Sequence, residues 1–300
     1  MNARAISADD YTQLGSAGGY LKQYGRNVSS WIEKGYVDPE DCYIFDNNGA
    51  VTGGVCFSAD TPEELQILDF ALADTEMQNG AQLLKQAIDP ATRAEAKSIG
   101  YNLYNDTEQY QDILNLFLQS GFIVKQKKKS YTYENPEPPH RHGTLTYHTI
   151  GDAGDEAFIK AIMEVTAGTL DKLMAEDAAR LGGENAAKEY FDNIKIYDFN
   201  PDWWRLGYLN DELIGLIVPQ KFDDTAGGIN YVGVLPQHRG NGYGAMLIAE
   251  GTYILHKSGI RKVIADIDAG NYPMAAALEL AGYVFKMDES VLHYYTRHQV

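Results

Sequence analysis

"LPQHRGNGYGAML", residues 235–247, sets three glycines, Gly240, Gly242 and Gly244, behind Arg239 and just ahead of an apolar run that opens at Ala245. The residues before it, "GGINYVGVL" at 227–235, read as a strand. Those after it, "YGAMLIAEGTYILHKSG" at 243–259, read as a helix closed by Gly259. A strand, a glycine-rich turn and a helix therefore follow one another. The first turn of a helix carries free N–H groups and a positive dipole end. Glycines remove the Cβ atoms that would hold a phosphate off that backbone, and Arg239 adds a charge beside them. The stretch reads as an anion site; a tight turn without a ligand is the plainer reading of the same glycines. It is not a Walker A loop, because no Lys-Ser or Lys-Thr follows. It is not the dinucleotide fingerprint either, since the third glycine comes one place early.

Outward from this loop, "TLTYHTI" at 144–150 predicts a strand, and helices follow over about 155–175 and 176–194. "WWRLGYLNDELIGLIVPQ" predicts a hairpin with "ND" as its turn. "KVIADID", 262–268, is a fifth strand, and "PMAAALELAG", 273–282, a short helix between Pro273 and Gly282. "YVFKMDESVLHYYTR" supplies a closing pair of strands. The break "ENPEPPHRHG" at 134–143 cannot continue a helix or lie in a central strand, so it is a linker or a rigid crossing segment. The two sides of the break repeat each other. Val51, Gly53 and Val55 fall on Leu213, Gly215 and Ile217 at an offset of 162, as "LDFAL" at 68–72 falls on "NYVGV" at 230–234. "QSGF" at 119–122 falls on "LAGY" at 280–283 at an offset of 161. Offsets this steady predict a duplicated domain.

A length of 300 residues with 44% hydrophobic side chains agrees with two domains, each with its own core. The net charge of −17 argues against nucleic acid or an anionic membrane as partner. It leaves room for a cationic small molecule and serves equally as a solubilising surface. Cys42 and Cys56 sit in apolar, strand-like surroundings, which predicts buried free thiols. The N-terminus has no apolar signal core and no run of 18 apolar residues occurs, so a soluble, cytoplasmic protein is expected, with no metal site. Oligomeric state is not readable.

"VLPQHRGNGYG" resembles motif A of the GCN5-related N-acetyltransferase (GNAT) superfamily, Arg/Gln-x-x-Gly-x-Gly/Ala, with Arg239, Gly242 and Gly244 in its places behind Val234 and Pro236. "NYPMAAALELAGYVF" is similar to that family's Asn-helix-Gly-aromatic segment. The resemblance implies an α/β fold of two tandem GNAT-like domains, each a mixed, mostly antiparallel sheet flanked by helices. Their expected bounds are 1–135 and 144–300, with 136–143 as a Pro-rich linker. It implies acetyl-CoA as co-substrate, its pyrophosphate on Arg239, Gly240, Asn241, Gly242, Tyr243 and Gly244. It places the pantetheine arm along Val232 and Val234, with Asn271 as a further contact. Carried back by 162, Arg239 falls on Met77, Gly242 on Gly80 and Gly244 on Gln82, so the first half is read as degenerate. "KQKKK" at 125–129 reads as an anion site or a solvated strand end.

The implied chemistry is acyl transfer from a thioester to a small amine. The amine must lose a proton to attack, the developing oxyanion needs a donor, and the departing thiolate needs a proton. The family's usual acid, a tyrosine, falls on Leu278, and its glutamate base falls on a strand that offers Asn230 and Tyr231 instead. Tyr272 and the closing "HYY", His293 to Tyr295, are therefore the candidate acids. Asp266 and Asp268, two apart on one strand face, could order a water or hold a cationic amine, or could simply be solvated or cap the next helix. Three readings follow: an N-acetyltransferase, a catalytically silent acyl-CoA-binding or regulatory protein, and an interaction scaffold.

Overall fold

The computed structural model describes residues 1–61, 63–92, 96–141, 143–196 and 199–296. In chain order the elements begin with β1 (Asn2–Ala5), α1 (Ala8–Ser16), α2 (Gly19–Glu33), β2 (Cys42–Asn47), β3 (Ala50–Thr61) and β4 (Glu64–Leu72). Next come α3 (Met77–Thr92), β5 (Ser98–Tyr104), α4 (Tyr110–Gln119) and β6 (Ile123–Tyr133). The second half runs β7 (Thr146–Thr149), α5 (Ile150–Ala153), α6 (Asp155–Thr166), α7 (Lys172–Leu181), α8 (Gly183–Ile194), β8 (Arg205–Leu209) and β9 (Glu212–Lys221). It ends with β10 (Ala226–Val234), α9 (Tyr243–Lys257), β11 (Lys262–Asp268), α10 (Tyr272–Leu280) and β12 (Val284–Tyr295). Among the described residues no helix is long and apolar enough to cross a membrane.

The chain forms two compact units, and their bounds are not the expected 1–135 and 144–300. One comprises Met1–Lys125 together with the chain from Glu289 onward; the other is Gln126–Asp288. In the first, β1 to β4 pair antiparallel in sequence order, β4 pairs parallel with β5, and β5 pairs antiparallel with Glu289–Tyr295 of β12. In the second, β7 to β10 pair antiparallel, β10 pairs parallel with β11, and β11 pairs antiparallel with Lys128–Tyr133 of β6. The pattern is the same twice, but the sixth strand of each unit comes from the other half of the sequence. The expected closing pair of strands is accordingly one strand, β12. The physical reason is that strand pairing is non-local, and two duplicated strands present the same pattern to two duplicated edges.

The internal repeat holds at the level of single contacts. A Cβ on Gly53 would meet the carbonyl oxygen of Ala71, and one on Gly215 that of Gly233, again 162 apart. Gly121 and Gly282 end α4 and α10 with φ of 103° and 91°. A Tyr ring lies against each: Tyr294 in the first unit, Tyr133 in the second.

Two other expectations shift. The helix foreseen over 155–175 stops at Thr166, where Gly168 turns the chain at φ 64° and the Asp171 side chain caps α7 by accepting from Met174 N–H. The helix foreseen over 176–194 breaks at Gly182, φ 81°. The "ND" hairpin turn stands, with Asn210 and Asp211 both at positive φ between β8 and β9. The proline-rich stretch is a crossing segment laid on α9. The Pro136 carbonyl lies 2.9 Å from His256 Nε2, and Arg141 pairs with the buried Glu250 and covers the Tyr253 ring. Cys42 and Cys56 are buried free thiols, as foreseen.

Candidate functional site

The site begins with a defect in sheet pairing. A bulge between Ile229 and Tyr231 kinks β10 against β9. The parallel register of β10 with β11 runs only from Ala226 to Gly228. Beyond it the two strands part, and a cavity of about 880 Å³ opens between Ile229–Val234 and Ala265–Asp268. The Leu235 N–H donates to the Ile214 carbonyl on the β9 side. Strand alternation then turns the backbone groups of Val232 and Val234 to the open edge. Val232 therefore offers both an N–H and a C=O there. The Val234 carbonyl accepts from Arg239 Nε, which leaves its N–H.

The open edge leads to the glycine loop. Gly240 and Gly242 sit at φ 81° and 80°, and Gly242 is the N-cap of α9, with no side chain capping the helix. A Cβ on either glycine would meet no protein atom within 4 Å. The first-turn N–H groups therefore face open space, with the positive end of the helix dipole behind them. Gly244 does a different job. Its Cβ position lies 3.4 Å from the Ala277 side chain, so it faces α10 rather than open space.

Arg239 lines this space, and its guanidinium is hydrogen-bonded to the backbone around it. Its Nη2 donates to the carbonyls of Val165 and Ala167 at 2.8 and 3.0 Å, and its Nη1 to Gly168 at 3.1 Å. The guanidinium clamps the turn after α6 onto the end of β10. Arg239→Gln should accordingly lower stability by about 1–2 kcal/mol, read from a denaturant midpoint, while costing less than about tenfold in acetyl-CoA affinity. Asn241, exposed, donates from Nδ2 to the His238 and Arg239 carbonyls of its own loop. Tyr243 and Asn271 line the cavity, and the Asn271 Oδ1 caps α10 at Met274 N–H.

The candidate acid and base residues divide. Tyr272 is 74% exposed and does not line the cavity, because Asn271 caps α10 and turns the first helical side chain outward. His293 to Tyr295 belong to the other unit, paired with β5. Leu278 is wholly buried in the core and forms part of the cavity lining. Tyr231, Asp266 and Asp268 also line the cavity. Tyr231 Oη lies 3.0 Å from Thr166 Oγ1, whose single proton goes to the Ile162 carbonyl. The phenol must therefore donate to Thr166, leaving its lone pairs for the cavity. Burial pushes its pKa up to about 12, so it stays neutral at physiological pH. Asp268 accepts from Gly270 N–H with Oδ1 and from Gln126 Nε2 with Oδ2. Asp171 and Gln126 also line this end of the cavity. Neither was legible as a site residue, since only the fold carries them beside Asp268.

Residues 171–283 match the acetyltransferase (GNAT) family. The match lies wholly within the second unit. Its fold is similar to a GCN5-related N-acetyltransferase from Sphaerobacter thermophilus, at 16% identity and a TM-score of 0.62 over 98% of this chain and 95% of that one. It is also similar to a tandem GNAT protein of the clavulanic acid biosynthesis pathway, at 12% identity and 0.52 over 98% and 97%. A GNAT-family acetyltransferase from Colwellia psychrerythraea shares it at 15% identity and 0.50 over 99% and 100%. No curated protein sequence matches the chain. The chain thus shares the two-unit α/β fold of these structures, with the family match in its second unit.

Proposed function

We propose that the second unit transfers the acetyl group of acetyl-CoA to the amine of a small molecule by direct attack. One observation carries this reading: the unpaired edge of β10 runs directly into the uncapped N-terminus of α9. Val232 and the Val234 N–H would pair with the pantetheine arm, and the N–H groups of 240–244 would hold the pyrophosphate, with no Cβ on Gly240 or Gly242 in the way. Bound there, acetyl-CoA supplies a thioester carbonyl and a thiol leaving group. The chain's residues do the rest. A strand-edge N–H can donate to the developing oxyanion. Tyr231 can accept a hydrogen bond from the amine, and water in the open cavity can take the amine's proton. No acid stands at 278, so the thiolate, whose parent thiol has a pKa of about 8.5, takes its proton from solvent.

The first unit lacks the corresponding seat. From the end of β4 the chain enters a short turn and then α3 directly at Met77, without a glycine loop. Gly80 packs against Leu72 and Leu116 as Gly244 packs against Val234 and Ala277, so Gly80 corresponds to Gly244 rather than Gly242. Just before α3 the buried Glu76 carboxylate accepts from Asn47 and Asn79. A negative charge already occupies the place a phosphate would need. An acetyl-CoA titration should therefore saturate at one equivalent per chain; two equivalents would refute the single-seat reading. Free-thiol release with a panel of amines tests the transfer. Acetyl-CoA binding with no thiol release for any amine would favour the silent acyl-CoA-binding reading.

A further inference from the structure

Hydrogen-bond accounting at the acceptor end of the cavity deepens that reading and rests on it. The Gln126 amide, with the residue 4% exposed, donates from Nε2 to Asp171 Oδ2 at 3.4 Å and to Asp268 Oδ2 at 3.3 Å. Its two protons are thus committed. The Tyr231 proton goes to Thr166. The Tyr190 proton goes to Asn230, whose own amide donates to Gln220. What these groups leave for a ligand is acceptors: two carboxylates and a phenol oxygen. Asp177 and Asp266 line the same cavity. Lys128 brings a positive charge, opposite Asp268 in the β6–β11 register.

We infer that the acceptor is a small amine bearing a second cationic group, with Asp171 and Asp268 binding that group, Tyr231 accepting from the reacting nitrogen, and Gln126 acting as a positioning residue. The neutral amide keeps the two carboxylates together without cancelling either charge. A donor-rich cation satisfies this end of the cavity, whereas a carboxylate-bearing or apolar amine leaves its acceptors unmatched. Gln126 comes from the first half of the sequence, so that half contributes to the site of the second.

The test uses the full chain. Calorimetry on its CoA complex compares 1,4-diaminobutane with butylamine and 4-aminobutyrate, and thiol release gives kcat/KM for the same three. The diamine should bind roughly 10- to 100-fold more tightly than butylamine, as for hydrogen bonds to charged groups, with 4-aminobutyrate weakest. Asp171→Asn and Asp268→Asn should each remove most of that preference and leave acetyl-CoA affinity within about twofold, since neither carboxylate lies on the β10 edge or in the 240–244 loop. Gln126→Ala should raise the KM for the diamine with little change in kcat, and Gln126→Asn should recover part of it. Equal binding of butylamine and diamine, or a preference that survives both Asp variants, overturns the inference. So does a Gln126→Ala variant whose melting temperature falls while its preference stays. Acetyl-CoA binding without thiol release would instead defeat the transferase reading, and diamine binding to the CoA complex would still decide this one.

Discussion

Gly242→Val is expected to abolish acetyl-CoA binding and leave a folded protein. Gly242 caps α9 at φ 80°, and no protein atom lies within 4 Å of its Cβ position. Adding a side chain there disturbs no packing. The folding cost is the left-handed backbone, about 1–2 kcal/mol, which a domain with about 5–15 kcal/mol of stability survives. The branched carbons, however, occupy the space in front of the first-turn N–H groups. Affinity should fall by at least about 100-fold, equivalent to some 2.7 kcal/mol, in calorimetry, with a cooperative melt only a few degrees lower. Gly244→Ala is the contrast: its methyl would sit at ordinary contact distance from Ala277, so binding should stay near that of the parent. Parent-like affinity in Gly242→Val would remove the phosphate seat from this loop.

A fragment cut at 144–300 is expected to fail where one cut at 126–288 succeeds. The first follows the apparent repeat; the second follows the pairing of strands. Cutting at 144 removes β6, which pairs with β11 over six residues from Val263↔Tyr133 to Asp268↔Lys128. It also removes Tyr131 and Tyr133 from the core, the Arg141 partner of buried Glu250, and Gln126 from the cavity. The bared β11 edge is a template for aggregation, and each lost core tyrosine resembles a large-to-small change worth about 3–5 kcal/mol. Circular dichroism melts and acetyl-CoA calorimetry on the two fragments decide the matter. A cooperative melt and parent-like binding from 144–300 would show that β6 is dispensable.

The glycine loop stands where the sequence puts it because its signals are local. Positive φ at Gly240 and Gly242, a strand before and a helix after are all written within about twenty residues. The duplication was legible for a similar reason: Gly53 and Gly215 are glycines because a neighbouring carbonyl leaves no room for a side chain, and that demand recurs at a fixed offset. The far end of the cavity was legible only in part: Tyr231, Asp266 and Asp268 were readable from their strands, Asp171 and Gln126 were not. Asp171 reads as a helix cap and Gln126 as part of a charged strand, and both readings are correct locally.

By itself, then, the sequence determined two α/β repeats, a glycine-rich strand–loop–helix in the second and the loss of that loop in the first. Each of these depends on backbone conformation and periodicity within one element or its neighbour. Only the tertiary structure decided which strand completes which unit, where the Arg239 guanidinium spends its protons, and that Tyr231 rather than Tyr272 faces the cavity. Those outcomes depend on groups as far apart in the sequence as Ser98 and Tyr295, which pair between β5 and β12. A side chain's partners at that range are set by sheet order and packing, which a local pattern does not encode.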